Sequence, residues 1–391
     1  MDTLIEKSYQ KVRDIDMKQR RYHAAFFGLV FVVHVTCIQA QAYQCFRPGK
    51  LWFDTNGTII NAHGGGILFH EGTYYWFGEY KGEDSNEALV GITCYSSTDL
   101  YNWTFEKIAL TVSDDKESPI VKGCIMERPK VVYNTGTQKF VMWFHLEPKG
   151  AGYTGAKSGL AVSDAPAGPY TFIEAIRPEA GFWPMNYPDS LKTAPVRSND
   201  RYSGGSLPAH PDSLNIVARD FVGGQMARDM TLFVDDDGKA YHIYASEDNS
   251  TLHISLLSVD YCSHVGVYCR AFVGRFMEAP AMFKKDGLYY LIMSGCTGWA
   301  PNAGRSAVAS NIFGPWKELG NPFLGDDSDK SFHSQSTYVL PVQGKKNAFL
   351  YMGDRWIPSN PIDGRYIWLP IQFIAGAPVL EWKDRWLQDD L

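Results

Sequence analysis

Cysteine is scarce in this 391-residue chain: seven residues are too few for a disulfide scaffold, although Cys262 and Cys269 flank a short loop and would be able to pair in an oxidising compartment. Charge is modest as well, 20% of residues with a formal net charge of −6. No Lys/Arg-rich run occurs beyond the N-terminus, so a phosphate backbone finds nothing to hold, which argues against a nucleic-acid partner and for a neutral or weakly charged substrate. No His/Cys/Asp spacing reads as a zinc site, and neither a cofactor nor a structural Ca²⁺ is indicated. Helical periodicity is nearly missing after the N-terminus; apolar residues alternate or cluster in short runs between Gly, Asp and Asn turns, which is the all-β pattern.

The one long apolar run stands apart. Lys18, Arg20 and Arg21 precede an uncharged stretch from Ala24 to Ala42. A basic flank before an apolar run is a membrane-targeting signal, either a type II anchor with its positive side inside or a signal peptide ending near Ala40-Gln41-Ala42. The expected organisation is a basic tail over 1–23, an apolar helix over 24–42 and a single large β domain over 46–391. Sequons at Asn56, Asn102 and Asn249 point the same way, to a glycosylated domain in the Golgi lumen or outside the cell.

Within the β domain one pattern recurs five times, starting at His63, Glu127, Arg228, Glu278 and Ser334. Each copy is a polar residue, a short apolar strand, a turn with Gly or Asp, and an aromatic strand. Three copies trail small residues, a turn and an aromatic, around Tyr95, Ala161 and Ala307, which read as outer strands. A hairpin repeated with outer strands predicts a five-bladed β-propeller. The longest interval, between the second and third copies, carries Trp183-Pro-Met-Asn-Tyr-Pro-Asp and Arg201-Tyr-Ser-Gly-Gly-Ser, either a loop at the mouth of the site or a disordered surface loop.

A propeller brings the first strand of every blade to its axis, so His63, Glu127, Asp229, Glu278 and Gln335 are expected to converge. Carboxylates crowded in one funnel oppose each other's ionisation, a cost that function explains better than structure. Cleaving a glycosidic bond needs such a set: one acid kept protonated for the leaving oxygen, and a second group opposite it to handle water.

The residues also carry a resemblance. Asn61-Ala-His-Gly-Gly-Gly, Phe77-Gly-Glu-Tyr80, Met126-Glu-Arg-Pro-Lys130, Ala227-Arg-Asp-Met230, Met277-Glu-Ala-Pro280, Ser294-Gly-Cys-Thr-Gly-Trp299 and His333-Ser-Gln-Ser-Thr337 occur in order, and from about Asn61 to Phe373 the chain resembles the glycoside hydrolase family 43 propellers. It is most similar to their exo-β-1,3-galactanase branch. The resemblance implies Glu278 as general acid and Asp229 as the residue that tunes and orients it. An Asp usual on the first inner strand is replaced by His63 and glycines, so Gln335 would help hold the attacking water, as an amide that orients it or through its rarer imidic tautomer, and Glu127 would bind the terminal sugar or assist that water. Glu79, Tyr153, Thr297, Trp299 and Arg355 are implied as sugar contacts. Trp299 reads equally as a blade-packing indole, Glu79 as a solvated strand end, and His63 either as a ligand contact or as a core histidine. The implied activity is inverting release of galactose from β-1,3-galactan of the arabinogalactan type. The alternatives are arabinofuranosidase or β-xylosidase activity, or a carbohydrate-binding propeller without catalysis.

Overall fold

The computed structural model describes residues 42–202 and 210–391. The basic tail and the expected apolar helix lie outside the described residues, and among the described residues no helix is long and apolar enough to cross a membrane. The first sheet is an antiparallel meander of β1 (His63–His70), β2 (Thr73–Glu79), β3 (Gly91–Ser97) and β4 (Thr104–Thr111). The second repeats it with β5 (Ile125–Asn134), β6 (Lys139–Glu147), β7 (Lys157–Ser163) and β8 (Thr171–Ile176). The third has β9 (Met230–Val234), β10 (Ala240–Ser246), β11 (Thr251–Leu257) and β12 (His264–Ala271), and the fourth β13 (Met277–Lys285), β14 (Leu288–Gly295), β15 (Arg305–Ala309) and β16 (Lys317–Gly320).

Here the expectation is corrected. After the short β17 (Phe323–Leu324) come β18 (Gln335–Pro341), β19 (Phe349–Arg355) and β20 (Arg365–Pro370), a sheet of only three strands. The chain then returns with β21 (Gln372–Ile374) and β22 (Ala377–Glu381), and β22 pairs in parallel with β17 and antiparallel with β21. The all-β propeller therefore has six sheets, not five. The sixth escaped the repeat because it is assembled from segments far apart in sequence and starts from no axial hairpin. The small-residue runs at Tyr95, Ala161 and Ala307 are also not outer strands: they form the third strands β3, β7 and β15, and the outer strands follow them.

Alternation along the second strands explains why they read as aromatic runs. In β2, Tyr74 and Trp76 enter the cluster shared with the β18 sheet, while Phe77 and Tyr75 enter the one shared with the second sheet. In β14, Tyr289, Leu291 and Met293 face the third sheet, and Tyr290 and Ile292 face β18 and β19. A strand with neighbours on both faces has no polar side to show.

Where it is described, the long interval between repeats makes contact in two places: its Tyr202 N–H donates to Asp248 Oδ2 at 3.2 Å, beside Asn249, and its earlier part lies against β12. Met185 N–H donates to Tyr268 O at 2.8 Å and Arg270 N–H to Asn186 Oδ1 at 2.9 Å, so the segment covers the outer edge of β12. Arg270 clamps it from below, 2.7 Å from Glu247 and 2.6 Å from Asp212. Cys262 and Cys269 are both free thiols, one bonded toward Asp260 O and the other toward Phe313 O, so the expected pairing does not occur.

Candidate active site

A cavity of about 270 Å³ opens at the axis, lined by Glu79, Glu127, Asp229, Glu278 and Gln335 together with Lys81, Arg128, Tyr153, Arg228, Asn249, Cys296, Trp299 and Trp356. No residue of the sixth sheet lines it. Ligand clefts usually run to roughly 300–1,000 Å³, so this one suits a single sugar ring.

The acids reach it through a repeated backbone device. Register slips between Glu127 and Lys130 in β5 and between Glu278 and Ala281 in β13, and the residue after each acid is left-handed: Arg128 at φ 57° and Ala279 at φ 53°. A proline follows each time, which has no N–H to lose at a bulge. The same slip in β1 falls on the glycines after His63. Their absence of side chains is used: a Cβ on Gly64 would sit 2.1 Å from Glu79 Oε1, and one on Gly66 would sit 2.6 Å from Lys130 Cδ. Gly-Gly-Gly thus makes room for Glu79 and Lys130.

Glu278 stands beside Asp229, and burial first, then that neighbouring charge, push its carboxyl up to about 7. Its Oε1 accepts from Asn249 Nδ2 at 2.6 Å. Glu247, Asp248 and Asn249 are all left-handed, at φ 50°, 56° and 67°, and this strained run carries the amide to the acid. Asn249 is therefore no exposed sequon; Ser250 and Thr251 beside it are buried.

Across the pocket, Glu127 Oε1 accepts from Tyr153 OH at 2.7 Å and Asn86 Nδ2 at 2.6 Å, and Oε2 lies 3.1 Å from His145 Nδ1. The other nitrogen of His145 lies 3.0 Å from Glu147 Oε1. Burial alone would lower the His145 pKa, but the bonds to Glu127 and Glu147 outweigh it and raise it to about 9. Burial would likewise raise Glu127, and its bond to His145 brings it well below the usual carboxylate range instead. Ligand atoms of Glu127, His145 and Asp229 come within 4.8 Å of one another, spacing that a metal ion would tolerate. An imidazolium with both nitrogens on carboxylates has no lone pair to give, so the cluster fits a proton better than a metal.

Arg128 crosses between the two halves, with Nη2 on Asp229 Oδ2 at 2.9 Å and its backbone N–H on Glu79 Oε1 at 3.0 Å. Glu79 is 3% exposed and salt-bridged to Lys81, so it is not a solvated strand end. Burial raises its pKa despite that lysine. Trp299 is 44% exposed at the rim, which rules out a packing indole.

Three expected residues do not reach the pocket wall. His63 is fully buried, its ring stacked on Tyr366 at 5.3 Å and Nδ1 3.8 Å from Asp354, a core histidine behind the glycines. Thr297 is exposed and its hydroxyl donates to Ala300 O within its own loop. Arg355 turns its guanidinium over Trp382, 5.3 Å away, and lines two cavities beside this one, one of which shares Trp299, Gln335 and Trp356 with it. Sequence reasoning missed Lys81, Asn86, Arg128, His145, Arg228, Asn249, Cys296 and Trp356. Arg128, Arg228 and Cys296 lie inside the motifs that carry the resemblance, Asn249 reads only as a sequon, and Trp356 follows directly on Arg355.

Residues 211–354 match the family described as Glycosyl hydrolases family 43. Over 88% of this chain and 100% of the other, the chain is 53% identical to the GH43 β-1,3-galactosidase BT3683, solved with galactodeoxynojirimycin, with a TM-score of 0.84. It is 32% identical to an exo-β-1,3-galactanase of Phanerochaete chrysosporium solved with β-1,3-galactotriose, over 88% of this chain and 68% of that one, at a TM-score of 0.71. An exo-β-1,3-galactanase of Clostridium thermocellum is 36% identical over 87% of this chain and 66% of its own, also at 0.71. No curated protein sequence matches the chain.

Proposed function

Because the chain belongs to glycosyl hydrolase family 43 and is a glycosidase, we propose that it releases terminal galactose from β-1,3-galactan, such as the chains of arabinogalactan glycoproteins, with inversion at the anomeric carbon. Glu278 gives its proton to the leaving oxygen, Asp229 keeps that proton in place, Gln335 holds the attacking water and Glu127 assists it. The observation that carries this reading is a carboxyl held up to about 7 in a cavity sized for one sugar. The β-1,3-galactosidase and galactanase names of the similar structures support galactose as that sugar.

Incubating the protein with β-1,3-galactobiose while following anomeric protons by NMR tests it. Galactose appearing first as the α anomer is expected, and Glu278→Gln should lower kcat by about a thousandfold or more. Release of arabinose or xylose from aryl glycosides without any galactose would overturn the substrate. The β anomer appearing first would overturn inversion.

A further inference from the structure

Gln335 is held at both ends of its amide. Oε1 accepts the indole N–H of Trp356 at 2.8 Å and an N–H of Arg128 Nη2, while Nε2 donates to Ser294 Oγ at 2.9 Å. Neither an indole nor a guanidinium can accept a hydrogen bond, so chemistry alone decides which end of the amide is oxygen. Both lone pairs of Oε1 are then occupied, and one N–H on Nε2 is left over at the pocket wall. The two donors are themselves fixed. Arg128 is 4% exposed, its Nη1 donates to Ser336 O at 2.9 Å, and its guanidinium lies 5.2 Å from the centre of the Trp356 ring. The Trp356 ring in turn meets Trp299 edge-on at 6.1 Å.

We propose that Arg128 and Trp356 are positioning residues that lock Gln335 as an amide, so that it offers the pocket a hydrogen-bond donor and not a base. The imidic tautomer carries its proton on oxygen, and that O–H would face two N–H donors, one of which would lose its acceptor in a largely buried place. The inference rests on the reaction proposed above. In it, the free N–H of Gln335 holds the oxygen of the attacking water. As that oxygen bonds to the anomeric carbon and the glycosidic bond breaks, Glu278 protonates the leaving oxygen and the proton lost by the water passes to Glu127.

Full-length enzyme labelled with ¹⁵N in glutamine side chains, bound to galactodeoxynojirimycin, gives a direct reading by NMR, with the Gln335 signal identified by its loss in Gln335→Glu. Two protons on the Gln335 nitrogen are expected; a single proton there overturns the proposal. This signal does not depend on turnover, so it is separable from a failure of the galactosidase reading, which appears as wild-type enzyme that releases no galactose. Trp356→Phe, which keeps a ring and removes the N–H, should lower kcat by about tenfold with KM nearly unchanged. An unchanged or raised kcat overturns the lock, since freeing the oxygen would favour a tautomeric base. If Trp356→Phe fails to fold, the nitrogen signal of the unsubstituted enzyme still decides.

Discussion

Glu278 owes its raised pKa first to burial and second to Asp229. An acid has to be protonated to act, so kcat/KM should fall as pH rises through about 7. Asp229→Asn removes the neighbouring negative charge and also leaves Arg128 without that partner, and both changes favour the ionised form of Glu278. The alkaline limb of the pH profile should therefore move down by about one unit; a limb that stays or moves up contradicts the assignment. Asp229 and Glu278 were legible because they begin strands, and strand starts can be counted along a sequence. Trp356 and Asn249 were not, since what brings them in is the reach of a side chain from a loop or a run of left-handed residues. His63 shared the register of the acids, yet Gly64 at φ 65° lets the chain fold its imidazole behind the pocket.

At the level of elements, the glycines of β1 set how closely β1 and β2 approach. A Cβ on Gly65 would lie 1.6 Å from the carbonyl oxygen of Phe77, which is backbone and cannot swing away. Gly65→Ala should cost more than about 3 kcal/mol in urea unfolding, whereas Gly72→Ala, at φ 83° with open space around it, should cost only about 1 kcal/mol of backbone strain. The hairpins themselves were readable from their aromatic second strands, because every such strand is covered on both faces. Bulges were hidden in part: the proline after Arg128 and after Ala279 is their only trace in the sequence, and its meaning depends on knowing that the preceding acid faces the axis. The sheet built from β17, β21 and β22 left no such trace, as parallel pairing of Phe323 with Leu380 joins segments with no shared pattern.

Over the whole molecule, the start and the end of the described β domain meet. Phe46 and Trp386 form a β-bridge and stack at 4.2 Å, within a cluster that includes Trp76, Trp103 and Trp368 and spans the first sheet and the β18 sheet. Trp386→Ala should cost about 3–5 kcal/mol and shift the urea midpoint of the entire domain, because the closure it supports is shared by both sheets. The hydrogen bond from Asn249 to Glu278 also has a consequence for manufacture. In a eukaryotic host that secretes the chain, oligosaccharide transfer would meet Asn249-Ser-Thr before β13 has folded against it. A glycan placed there would take the amide away from Glu278 and fill the cavity from within, so a host without that transfer is the one in which to make the protein.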